Sequence, residues 1–197
     1  MAEQDEQQQQ QITVLEDTPV PGESQTGRAV ALARLLHHEC AHLLQLYKQK
    51  ETFLADHTPD GGRIVSLSHD SEEPSLEQQV QLLHAALRQC LGLIHCVIVK
   101  EEEEWGELEG DYETMRKNVR FRLEHLLYST KDLAETEDTT LEVTPDHQCT
   151  EETDGAGGVF GLKVWTYRVL LELIHWADHA AQTLHVLHKE RGGTEEI

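Results

Sequence analysis

Positive charge is scarce in this chain: 16 Lys and Arg stand against 37 Asp and Glu in 197 residues, a formal net charge of −21. Most of such a surface repels a phosphate backbone or an anionic lipid headgroup, so nucleic acid and membranes are excluded as partners. Long apolar runs are missing too, and no span approaches the ~20 apolar residues of a membrane crossing. Met1 to Gln11 reads MAEQDEQQQQQ, without the basic and apolar regions of a secretory signal, and none is expected. The single asparagine, Asn118, is followed by Val119 and Arg120, so there is no N-x-[ST] glycosylation site. Period-2 alternation of useful length is absent, which argues against a sheet. No P-loop, G-x-G-x-x-G or G-x-S-x-G occurs, and no catalytic residue is assigned. The four cysteines form no C-x-x-C. Cys40, Cys90 and Cys96 fall within helical patterns and Cys149 in a polar stretch, so buried free thiols are expected rather than two disulfides.

What is present is helical periodicity. Residues 1–24 are polar, carry Pro19 and Pro21, and are expected to be a disordered acidic, Gln-rich tail. From about 26 to 50, apolar residues recur at Ala29, Leu32, Ala33, Leu36, Cys40, Leu43 and Tyr47, the spacing of one helix face. Turn chemistry at Thr58-Pro59-Asp60-Gly61-Gly62 and Pro74 marks a long connection. Ser75-Leu76-Glu77-Gln78 has capping-box form, and Leu76, Val80, Leu83, Leu87, Cys90, Ile94 and Val97 follow in steps of four and three, predicting a helix over about 75–104. A short link through Gly106 and Gly110 leads to a third helix over about 111–134, for which Asp111 can serve as cap. A second long connection ends at Gly155-Ala156-Gly157-Gly158. The last helix covers about 159–190, with Leu162, Trp165, Val169, Leu173, Trp176, Ala180, Leu184 and Leu187 on one face and Gly192-Gly193 as its stop. Links that are long, short and long predict an all-α, long-chain four-helix bundle in up-up-down-down topology with two long crossover loops. One bundle domain, 25–192, precedes a tail at 193–197.

Within the first helix, His38-Glu39-Cys40-Ala41-His42 spells H-E-x-x-H. In zinc peptidases this spacing places two imidazoles on one metal and a glutamate on its bound water. At ~100° per residue from Ala29, His38 falls near about 180° and His42 near about 220°, away from the helix's own apolar stripe. The longer form of the motif requires a Gly and a third His where Gln45 and Lys48 stand. A solvated or partner-facing helix surface is therefore expected, with no metal and no cofactor. The run Glu101 to Glu104 reads as a solvated helix end.

The stretch Gly157 to Trp176, GGVFGLKVWTYRVLLELIHW, resembles the last helix of the ciliary neurotrophic factor/cardiotrophin branch of the interleukin-6 family. Gly157, Gly158, Phe160, Lys163, Trp165, Arg168, Val169, Leu170, Glu172, Leu173 and Trp176 match that pattern. The first helix from Leu32 to Tyr47, and Glu109-Gly110-Asp111-Tyr112 at the start of the third, resemble the same branch.

The resemblance implies a growth factor without enzyme activity that brings together glycoprotein 130 and the leukaemia inhibitory factor receptor, with an alpha receptor as a further candidate, to activate Janus kinases. It also implies cytoplasmic storage, non-conventional release and extracellular action. Phe160 and Lys163 match the F-x-x-K motif toward the leukaemia inhibitory factor receptor, preceded by the small residues Gly157 and Gly158. Family placement assigns Arg34, His38, His42, Arg116 and Arg120 to glycoprotein 130, with Arg116 and Arg120 on an exposed face. Trp176, His179 and His185 fall on the candidate alpha-receptor face, the two histidines standing where the family has arginines. A zinc-dependent peptidase using His38, Glu39 and His42, and an intracellular helical scaffold, stay open as alternatives.

Overall fold

The structure is a computed structural model and describes residues 24–56, 61–67 and 72–192. The expected N-terminal tail (but for Ser24), Thr58-Pro59-Asp60 and residues 193–197 lie outside the described residues. Among the described residues four α-helices form: α1 (Gln25–Lys50), α2 (Leu76–Trp105), α3 (Asp111–Ala134) and α4 (Gly158–Glu190), with a 3₁₀ turn at Thr52–Asp56. Ser24 caps α1 by accepting from the Gly27 amide, and Ser75 with Gln78 closes the capping box on α2. The cap of α3 is Gly110, not Asp111. Asp111 is instead the first helical residue, where its carboxylate meets the positive end of the helix dipole.

Cross-helix contacts give the topology. Tyr47 late in α1 donates to the Lys163 carbonyl early in α4, while Thr26 at the start of α1 meets His188 near the end of α4. α1 and α4 are therefore antiparallel. Tyr47 also packs on Tyr112 at the start of α3. Glu101 near the end of α2 meets Arg116 early in α3, and Gln81 near its start reaches the Ala134 carbonyl. Both α1 and α2 thus run against α3, and the bundle is up-up-down-down. α1 and α2 each pack on α3 and α4, which puts α1 and α2 on one diagonal.

The connections are packed straps. The first carries Leu54 and Val65 into the core and hangs Val65 from Glu172 of α4. The second follows α2 along its length: Glu142 beside His84, Thr144 and Asp146 beside Arg88, Thr150 beside Lys100. Gly92 permits the close approach, since a Cβ there would stand 2.5 Å from that of His147.

Two expectations are corrected by this arrangement. By length and composition α2 is apolar enough to cross a membrane, yet 67% of its apolar window is buried inside the protein. Its flanks on α3, α4 and the second strap account for that composition. Cys96 and Cys149 form a disulfide between α2 and the strap, with Cα atoms 5.4 Å apart, while Cys40 and Cys90 are free and buried. The polar stretch around Cys149 is pinned alongside α2, which brings the two thiols together.

Candidate functional site

At the α1 C-terminal end of the bundle, three aromatic side chains from different elements reach the surface. Phe160 in the first turn of α4 is 61% exposed, Phe53 in the 3₁₀ turn 43% and Trp105 at the end of α2 38%. The Phe53 and Phe160 ring centroids are 5.4 Å apart. Lys163 lies between Phe53 and Trp105. Its Nζ is 2.8 Å from Glu51 Oε2, 5.8 Å from the Phe53 ring and 5.7 Å from the Trp105 ring. Lys50 covers the Trp105 ring from α1, 5.5 Å from its centroid. The result is an apolar patch of rigid rings around a fixed cation, the composition of a binding hot spot.

The glycines before Phe160 shape this edge. Gly157 and Gly158 are exposed and left-handed, with φ of 101° and 75°, a conformation that side chains disfavour. At Gly161 a Cβ would stand 2.0 Å from the Ala156 carbonyl oxygen, so the chain folds tightly over the first turn of α4. Phe160 is turned outward rather than stapled into the core. Phe53 and Trp105 escaped the sequence reading; the available signal was an aromatic residue outside any apolar stripe.

The H-E-x-x-H segment divides between two directions. His38 and His42 are exposed, whereas Glu39 is buried and its Oε1 is 3.1 Å from Arg122 of α3. The carboxylate that would polarise a zinc-bound water is committed to tying α1 to α3. Among the described residues, no third metal-ligating group joins the two histidines.

Arg116 is corrected most sharply. It is fully buried, not exposed, and its guanidinium meets Glu101 at 3.0 Å, Glu113, and Glu102 at 3.8 Å. Tyr112 donates to the same Glu101 oxygen at 2.7 Å. Burial pushes the Glu101 carboxyl above its ordinary value, with the Tyr112 hydroxyl and the Arg116 charge opposing it, and the Tyr112 hydroxyl is itself pushed up by burial and Glu101. This network joins α2 to α3. Arg120, one helical turn on and half-buried, shares the α2 side of α3. The α1 side of α3 is marked by Arg122, and its outer surface carries Phe121 (52% exposed), its ring centroid 4.2 Å from that of His125 in a tilted contact, and Tyr128 (58%). Arg34 is exposed, as are Leu35, His38 and His42.

On α4, Trp176 is buried, as its place on the apolar stripe predicts, which removes it from the candidate alpha-receptor face. Its Nε1 donates at 3.0 Å to Glu172, which also accepts from the Val65 amide and faces Arg63 at 3.7 Å. Trp176 thus helps hold the first strap. His179 lies exposed at its edge, ring centroids 5.3 Å apart, and His185 is half-buried six residues further on.

Burial drives the thiols of Cys40 and Cys90 far above the usual range, and a thiol held protonated is a poor nucleophile. A family model described as ciliary neurotrophic factor matches residues 16–196. Comparison with curated proteins gives no match.

Proposed function

Because the chain belongs to the ciliary neurotrophic factor family, and is therefore a helical cytokine, we propose that it bridges glycoprotein 130 and the leukaemia inhibitory factor receptor and so activates receptor-associated Janus kinases. The observation that carries this reading is the exposed Phe53, Trp105 and Phe160 patch with Lys163 held inside it. Three rings fixed by three different elements lose little freedom on association. This patch takes the leukaemia inhibitory factor receptor, with Gly157 and Gly158 allowing the partner's backbone to come close.

Glycoprotein 130 takes the long side formed by α1 and α3. Buried Arg116 is excluded from that contact, and Arg120 lies toward α2. The contact residues are His38 and His42 of α1, together with Leu35, and Phe121 and His125 of α3; Arg34 sits at the margin. An alpha receptor, where used, meets α4 at His179 and His185. The protein acts by binding rather than by catalysis, since Glu39 is occupied by Arg122. It is stored in the cytoplasm, leaves by a non-conventional route and acts outside the cell.

Binding of the purified full chain to the leukaemia inhibitory factor receptor ectodomain tests the reading. Phe160→Ala is expected to weaken that binding by ~2 kcal/mol or more and to leave glycoprotein 130 binding intact. A folded protein that binds neither receptor overturns it, as does peptidase activity abolished by Glu39→Gln.

A further inference from the structure

We propose that Cys96, Cys149, Asp154 and His147 form a redox-gated site for a thiophilic divalent cation, zinc in particular, which becomes available when the Cys96–Cys149 bond is reduced. The proposal does not rest on the receptor reading. Ligand atoms of Cys96, Cys149 and Asp154 all lie within 4.8 Å of one another. His147 lies outside that group, but its Nε2 is 2.9 Å from Asp154 Oδ2, so a shift of the ring toward the ion supplies an imidazole as the fourth donor. Tetrahedral zinc holds sulfur at ~2.3 Å and imidazole nitrogen or carboxylate oxygen at ~2.0–2.2 Å, which sets its ligand atoms ~3.2–3.8 Å apart. Side-chain rotation at two cysteines whose Cα atoms are 5.4 Å apart spans that separation.

The donors stay together without the disulfide because the strap has its own anchors. The Asp146 amide donates to the Arg88 carbonyl at 3.0 Å on one side of the site, and Lys100 Nζ donates to the Thr150 carbonyl at 3.0 Å on the other. Asp154 is fixed by the Thr150 amide at 2.9 Å and is only 5% exposed. Reduction therefore leaves two thiols beside a buried carboxylate that is already oriented. Cys149 is exposed and Cys96 buried, giving a metal or a reductant one open approach.

The chemistry balances. Two equivalents of a small thiol such as glutathione transfer two electrons and two protons to the disulfide, yielding two cysteine thiols and one oxidised small-molecule disulfide. Zinc then forms two Zn–S bonds and releases one proton from each thiol to solvent, while Asp154 and the neutral His147 ring complete the shell. Two thiolates with an imidazole select zinc over calcium or magnesium. Oxidised glutathione reverses the sequence, taking two electrons from the thiolates and two protons from solvent to return two small thiols as the S–S bond re-forms and the ion leaves. The same strap is thus cross-linked by metal under reducing conditions and by sulfur under oxidising ones.

The test uses the full chain, reduced with a phosphine, freed of metal and titrated with cobalt(II) and then zinc. One equivalent of cobalt is expected to give thiolate-to-cobalt charge-transfer absorption that zinc displaces, and the oxidised protein is expected to give none. Cys149→Ser should abolish the signal, and Asp154→Asn should weaken zinc binding at least tenfold with helicity unchanged. His38→Ala with His42→Ala should leave the signal intact. No thiolate-to-cobalt absorption in the folded, reduced protein overturns the proposal. So does equal binding by oxidised protein or by Cys149→Ser, full affinity in Asp154→Asn, or loss of the signal in the His38 and His42 double variant.

Discussion

Replacing Arg116 should unfasten α2 from α3. Its guanidinium is fully buried against Glu101, itself 1% exposed, and Glu113. Arg116→Met keeps most of the side-chain volume but strands the Glu101 carboxylate in a dry interface with the Tyr112 hydroxyl as its hydrogen-bond donor and the Lys50 charge as its remaining cation. Breaking a buried pair from one side costs about 3–5 kcal/mol, and for a chain of this size that lowers Tm by roughly 6–20 °C. Urea unfolding followed by far-ultraviolet circular dichroism measures the loss.

The pH dependence separates this explanation from mere misfit. Glu101 is held above its ordinary 4.5 by burial, so the folded state binds its proton more tightly than the unfolded chain does. Its contribution to stability is thus full below the unfolded pKa and declines as pH rises through the folded one. Removing Arg116 deletes a charge that favours the carboxylate and raises the folded pKa further. The penalty of Arg116→Met should therefore be largest near neutrality and shrink as pH falls to and below the unfolded value of 4.5, as Glu101 takes up its proton in both states. Adding Glu101→Gln should recover part of the loss at neutral pH. A neutral-pH penalty below ~1 kcal/mol, the range of exposed pairs, or one that does not change with pH, would refute the reasoning.

Other outcomes follow from the same structure. Phe53→Ala and Trp105→Ala should each weaken leukaemia inhibitory factor receptor binding by ~1–2 kcal/mol with little change in Tm; surface plasmon resonance showing full affinity for both would remove the patch from the contact. Lys163→Ala should lower Tm as well as affinity, because Glu51, 8% exposed, loses its partner; calorimetry that finds Tm unchanged would show the pair to be idle. His84 is 1% exposed between Thr130 and the Glu142 carbonyl, and burial lowers its pKa from 6.5. Its contribution is therefore present above the unfolded value and lost as pH falls below it, so His84→Gln should flatten the decline of the urea midpoint between about pH 7 and 5, and an equal decline in both proteins would acquit this residue. Cys149→Ser removes a cross-link between residues 53 apart, worth up to ~4 kcal/mol by chain entropy; a urea midpoint that does not move would mean that the other strap contacts suffice.

The bundle was legible because each helix announces itself in local terms. Ser75 and Gln78 form the capping box that their spacing predicts, the apolar steps from Ala29 to Tyr47 became the buried face of α1, and long, short and long links left one topology. The straps were not legible. Polar residues such as Thr144, Asp146 and Thr150 gain their meaning only from Arg88 and Lys100 across the chain, and the pairing of Cys96 with Cys149 depends on the same long-range approach. The buried charges failed for a related reason. Arg116 has the hydrophilicity of a surface residue, and only a carboxylate from another helix makes its burial tolerable. Phe53 and Trp105 each look like isolated surface aromatics until the fold brings them to Phe160.

Rotation of the helices decides which of their residues a receptor can meet, and two ion pairs fix it. Arg116 points from α3 to Glu101 on α2, while Arg122 points from α3 to Glu39 on α1. At ~100° per residue these two arginines stand about 120° apart on α3, flanking the buried Val119, Leu123 and Leu126 between them. Phe121, His125 and Tyr128 are left on the outward side. Glu39 performs the same service for α1: once it turns toward Arg122, His38, about 100° behind it, must face solvent, and His42, about 60° behind, must follow. The spelling H-E-x-x-H therefore splits into a glutamate that sets the helix's rotation and two histidines that this rotation exposes. A metal site needs all three on one side. A recognition surface needs only the pair, held steady by the residue between them.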